Sequence, residues 1–122
     1  MSRTEELNKI LESLRASSSD IEACAVVSED GLMIASLLPQ GQEDGPIAAM
    51  SAAMMSMGTR TALELKRGPL EQLFVKGESG YVVIMNAGPH AVLLALARKD
   101  AKLGLIFLDL SRAADEAKKV LD

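Results

Sequence analysis

The sequence predicts an α+β fold, an α/β sandwich whose elements run α-β-β-α-β-β-β-α. Helical periodicity marks three stretches, near Leu7 to Leu14, from Pro46 to Lys66 and from Leu103 onward. The five apolar runs between them are joined mostly by turns too short for a crossover, which implies an antiparallel sheet. One of these runs, Ala91 to Ala97, has no polar alternation. Such a run is buried on both faces, so it is expected as a central strand with helices above and below.

Ser2-Arg3-Thr4-Glu5 has the spacing of a capping box and opens the first helix. Leu7, Ile10, Leu11 and Leu14 give it one apolar face, and Ser17-Ser18-Ser19-Asp20 ends it with side chains that compete for backbone hydrogen bonds. Ile21 to Val27 reads as a strand, Ser28 to Gly31 as a turn built on Asp30-Gly31, and Leu32 to Leu37 as the returning strand. The acidic loop Pro39 to Asp44 leads to Gly45-Pro46, with Pro46 expected at the first helical position. The long helix is then expected to run to Lys66, where Gly68-Pro69 stops it. Strands follow at Leu70 to Lys76, Tyr81 to Asn86 and Ala91 to Ala97, separated by the turns Gly77 to Gly80 and Ala87 to His90. Leu103 to Leu110 has the composition of a strand. However, Leu103, Phe107, Leu110, Ala114, Ala117 and Leu121 keep one stripe through charged neighbours, which predicts a helix.

Residues 1–122 suit one domain, with 48% hydrophobic and 25% charged residues and enough apolar surface for a core. Aromatics make up only 2%, so pockets that stack bases or other planar ligands are hard to build. The net charge of -4 and the lack of a Lys/Arg cluster argue against nucleic acid as a partner. Cys24, the single cysteine, lies between two alanines and reads as a small buried hydrophobe. The charged start, Met1 to Arg15, is unlike a signal peptide, and no apolar run approaches a membrane span, so the expectation is a cytoplasmic protein without direct membrane insertion.

Catalytic signatures are missing. No segment matches the phosphate-binding G-x-x-x-x-G-K-[ST] pattern. Gly77-Glu78-Ser79-Gly80 superficially resembles a nucleophile elbow, but its spacing differs and it joins two strands. His90 is the only histidine, and the pairs Glu29-Asp30 and Glu43-Asp44 lack the spacing of a calcium loop. No enzyme activity, catalytic residue, cofactor or metal is expected.

The long helix carries no charged side chain between Pro46 and Thr59. On a helical projection Ile47, Met50, Met54, Met57, Thr61 and Leu65 form one stripe, read as facing the sheet. Ala49, Ala52, Ser56, Thr59, Arg60 and Leu63 form the other side. High helix propensity alone would account for the Ala and Met content. Yet a helix without a charged face is usually covered all round, and a domain this small has nothing to cover it with except a second chain. Ala49, Ala52, Ser56 and Leu63 are therefore candidate dimer contacts, with Arg60 at their margin.

Several phrases resemble the roadblock (roadblock/dynein light-chain) family. They are Val26-Val27-Ser28-Glu29-Asp30-Gly31-Leu32, the alanine-rich Ala48 to Ala53, Gly68-Pro69-Leu70-Glu71-Gln72-Leu73, Gly80-Tyr81-Val82-Val83-Ile84 and Ala101-Lys102-Leu103-Gly104-Leu105. The resemblance covers nearly the whole chain, and its strength lies in the order and spacing of the phrases. It implies a five-stranded antiparallel sheet with the long central helix on one face and the terminal helices on the other. It also implies homo- or heterodimers in which the third strands pair edge to edge. Leu70, Gln72, Phe74 and Lys76 then join the candidate dimer contacts. Many prokaryotic relatives are thought to act with Ras-like small GTPases docked across the paired helices, which puts forward Met55, Thr59 and Arg60 as partner contacts. Two functions stay open: a dimeric regulator or scaffold of a Ras-like small GTPase, and a passive assembly subunit that bridges other proteins.

Overall fold

A computed structural model describes residues 1–122 and shows α1 (Arg3–Ser17), β1 (Ile21–Ser28), β2 (Met33–Leu37) and α2 (Asp44–Glu64), then β3 (Leu73–Gly77), β4 (Gly80–Asn86), β5 (Ala91–Arg98) and α3 (Leu103–Leu121). The strands form one antiparallel sheet in the order β2-β1-β5-β4-β3. The uninterrupted apolar strand β5 lies at its centre, as its composition requires. β2 and β3 are the two edges.

The Ser2 hydroxyl caps α1 by accepting from the Glu5 N–H at 3.2 Å and donates to the Glu5 carboxylate at 3.2 Å. Leu7, Leu11 and Leu14 are its buried face. The first hairpin turns through Glu29, Asp30 and Gly31 rather than through two residues. The Ser28 N–H donates to the Leu32 carbonyl at 2.8 Å, and only Gly31 has a positive φ, +85°. This is a turn closed by a left-handed glycine, a form hairpins use alongside the two-residue type.

Helix α2 begins at Asp44, so Pro46 is its third residue, still inside the turn whose N–H groups have no helical partner. Its end also differs from expectation. The Arg67 N–H donates to the Ala62 carbonyl at 2.7 Å and the Lys66 N–H to the Leu63 carbonyl at 3.1 Å. That is a Schellman turn with Lys66, not glycine, at the left-handed position (φ 60°). β3 starts three residues later than predicted, at Leu73, which leaves Leu70 and Gln72 in the segment before it.

The sheet separates two unequal layers. On the α1 and α3 side 19 buried residues form one cluster, with Leu7, Leu11, Ile106 and Leu110 at its centre. On the α2 side only Ala25, Met55, Ile84, Val92 and Leu94 do so. The thinner layer carries the surface described next.

Candidate functional site

Helix α2 meets the sheet through small residues. Ala48, Ser51 and Met55 are its buried positions, and Ser51 satisfies its hydroxyl by donating to the Ile47 carbonyl at 2.7 Å. This corrects part of the face assignment made from the helical projection: Ile47 and Met54 do pack against the core on the sheet, and Ala49, Ser56 and Leu63 lie outside, but the buried line is turned toward Ala48, Ser51 and Met55. Met50, Met57 and Leu65, expected against the sheet, are 58%, 61% and 64% exposed, whereas Met55, expected to meet a partner, is 6% exposed and packs in the core. The physical reason is distance: Ala48, Ser51 and Gly58 let the helix lie close to the sheet over Met55, and Met50, Met57 and Leu65 turn outward. Gly58 shows this directly, because a β-carbon there would stand 3.2 Å from Leu70 Cδ2 and 3.3 Å from Leu73 Cδ2.

The outward side chains are not scattered. Met54, Met57, Thr61 and Leu65 of α2, with Leu70, Leu73 and Val75 beyond it, line an apolar groove of about 510 Å³ between the helix and β3. Thr61 hides its hydroxyl by donating to the Met57 carbonyl at 2.7 Å. On its far side β3 has no neighbouring strand, so its backbone groups there are open for pairing. The groove and the free edge are adjacent and form one surface.

The other predicted contacts are spread around this surface rather than gathered in it. Leu70 lies in the groove and Gln72 is exposed just before β3. Phe74 and Lys76 point to the opposite face of the sheet. There the Phe74 ring lies 6.2 Å from Tyr81 and 5.9 Å from Phe107, and Lys76 Nζ lies 5.8 Å from the Tyr81 ring centre. Ala49 and Ala52 stand over Gly31 of the first hairpin; a β-carbon on Gly31 would lie 3.5 Å from Ala49 Cα and 3.8 Å from Ala52 Cβ. Leu63 is exposed. Arg60 is exposed too and is held by Glu64 at 2.8 Å.

Ser56 and Thr59 border a separate polar cleft of about 550 Å³ with Glu29, Asp30, Asn86 and Pro89. Next to it His90 Nδ1 and Glu29 Oε1, 2.8 Å apart, tie the β1–β2 and β4–β5 loops together. No group of three His, Cys, Asp or Glu side chains is placed to hold a metal ion. Cys24 is buried on the other layer and its Sγ lies 3.4 Å from the Leu11 carbonyl. Burial pushes its thiol up to about 11, with the Arg15 charge pulling weakly the other way, so it stays protonated and inert. No helix is long and apolar enough to cross a membrane.

Met50, Met54, Met57, Thr61, Leu65, Leu73 and Val75 were not singled out in the sequence as contacts. The available signal was the repeat of small residues at Ala48, Ser51 and Ala52, which marks close approach to a neighbour.

The fold and this surface define a small α+β domain in which the outer side of α2 and the neighbouring β3 edge stand without cover. The chain belongs to the roadblock/LC7 domain family, whose model matches residues 7–97. The uncharacterised protein MJ0310 of Methanocaldococcus jannaschii is 39% identical over 98 residues, 80% of this chain and 85% of that protein. Among solved structures, MglB with a tetrameric arrangement superposes with a TM-score of 0.88 at 19% identity, over 98% of this chain and 90% of that one. A roadblock/LC7 domain from Streptomyces avermitilis gives 0.87 at 18% identity, over 95% and 98%.

Proposed function

We propose that this chain is a non-catalytic, dimeric protein-interaction domain of the cytoplasm that regulates or scaffolds a Ras-like small GTPase. The observation that carries the dimer is the unbroken apolar surface from Met57 and Leu65 across the groove to Leu73 and Val75, beside an unpaired strand edge. Water is a poor cover for the apolar side chains, and the open backbone groups of β3 offer a second copy a strand to pair with. Membership of the roadblock/LC7 family supports this, and a fold neighbour, MglB, occurs in a tetrameric arrangement. The GTPase rests on the family resemblance. On this reading its docking surface is the outer side of the paired helices, with Arg60 and Thr59 at the margin and without Met55.

In the test, the purified protein is weighed in solution and then mixed with a Ras-like GTPase encoded beside it, loaded with GDP or with a non-hydrolysable GTP analogue. The reading predicts a dimer at micromolar concentration, binding that depends on the nucleotide, and a changed rate of hydrolysis or exchange. A monomer would remove the dimer; binding in neither nucleotide state would remove the GTPase. Equal binding in both states with unchanged rates would favour a passive assembly subunit.

A further inference from the structure

Charge around α2 is sorted by helix end. Glu43 and Asp44 stand at its start, and Lys66 and Arg67 just past its end. Between them only Arg60 and Glu64 are charged, and they hold each other at 2.8 Å. Acid at the N-terminus and base at the C-terminus also suit the helix dipole, so the sorting alone decides nothing.

Two other features do. Lys66 is the only residue other than glycine with a positive φ, 60°. It occupies the position of a Schellman turn that glycine fills without strain. A lysine held in that conformation, with its side chain exposed, points to work for the side chain outside the helix. The groove supplies the direction. It runs unbroken from α2 to Leu73 and Val75, so one neighbour covers helix and strand edge together. If that neighbour is a second copy, joining two β3 edges with both α2 helices on the same face needs a two-fold axis normal to the sheet. That axis reverses the partner's helix.

We propose that Lys66 and Arg67 of each copy face Glu43 and Asp44 of the other and set the register of an antiparallel α2 pair. This rests on the dimer proposed above. The outward strip from Met50 to Leu65 is centred near Met57. With the axis there, Asp44 lies about 20 Å from it and Arg67 about 15 Å from it on the other side, at about 1.5 Å per residue. Reversal brings the two charges to about 5 Å of each other along the helices, within reach of an extended Lys66 and of the terminal nitrogens of Arg67, whose Nε donates to the Leu65 carbonyl at 3.1 Å. A parallel pair sets acid against acid and base against base. The charged ends thus select one orientation that the adaptable methionines between them do not.

Three chains test this by sedimentation equilibrium: the wild type, Glu43→Lys/Asp44→Lys, and Lys66→Glu/Arg67→Glu. Each reversed chain alone is expected to dimerise about tenfold more weakly, the order expected for several exposed ion pairs lost together. An equimolar mixture of the two is expected to recover wild-type affinity, because every facing pair is again opposite in sign. Lys66→Gly relaxes the backbone and is expected to raise the Tm of the separated chain while weakening the dimer. A wild-type monomer would overturn the dimer itself. A wild-type dimer whose reversed chains gain nothing on mixing would overturn the charge pairing alone, as would a Lys66→Gly dimer of undiminished affinity.

Discussion

Met57→Lys offers the most direct measurement on the α2 surface. Met57 lies near the middle of the outward strip and is 61% exposed. Burying a whole methionine side chain contributes about 1.5–3 kcal/mol, so covering the exposed three-fifths contributes about 1–2 kcal/mol. A two-fold axis repeats the loss, giving about 2–4 kcal/mol per dimer. At about 1.4 kcal/mol per factor of ten, dimerisation weakens between about thirtyfold and several hundredfold. Two lysines brought together near the axis push in the same direction. The separated chain loses little, because a substitution at an exposed position typically changes stability by about 0.5 kcal/mol or less. Sedimentation equilibrium reads the dimer and thermal unfolding by circular dichroism reads the fold. Leu32→Lys is the control, equally exposed but on the first hairpin and outside the groove. If Met57→Lys dimerises like the wild type, or if Leu32→Lys weakens the dimer as much, the groove is not the interface.

Other outcomes follow from the fold itself. Leu11→Ala, at a fully buried position in the larger layer, is expected to cost about 3–5 kcal/mol, read as a lower urea midpoint. Gly80→Ala would place a β-carbon 2.4 Å from the Ala97 carbonyl oxygen at a φ of +152°. Moving the backbone of the central strand to relieve that contact is expected to cost about 2 kcal/mol or more, in the same assay. Cys24 predicts a pH dependence. Its folded value of about 11 lies above the reference 9.0, so its contribution is whole below pH 9 and is lost as pH rises toward 11. At about 1.4 kcal/mol per unit, the loss reaches about 2–3 kcal/mol. Urea midpoints across that range should fall in the wild type, and Cys24→Ala should remove that part of the slope.

The eight elements, their order and the central place of β5 were legible in the sequence because each rests on strong local periodicity or on an unbroken apolar run. Boundaries were less so. Leu70 and Gln72 have strand-like neighbours, yet the chain after the Lys66 turn needs those residues to reach the sheet edge before pairing begins. The faces of α2 were misread in part, at Met50, Met55, Met57 and Leu65, for a different reason. With apolar residues on both sides, a projection offers no contrast, and size then suggests that methionines lie inside and alanines outside. Close packing on a sheet sorts them by position instead: Ala48, Ser51 and Met55 lie inside, while Ala49, Ala53, Met50 and Met57 lie outside. What the residues did reveal was that α2 lacks a solvating face at all.

The inequality of the two layers bears on how the molecule moves. The buried cluster on the α2 side has five residues, its own Met55 among them, against 19 in the cluster that α1 and α3 share with the sheet, so α2 is the helix with the least to lose by lifting away. Local opening should begin there, and its amides should exchange with solvent well before those of β1 and β5. Anything that settles on the groove completes the thin layer from outside, and the slowed exchange should extend through Met55 to Ile84, Val92 and Leu94 beneath it. Binding at this surface would then reach the centre of the sheet as added rigidity, without any strand changing its place.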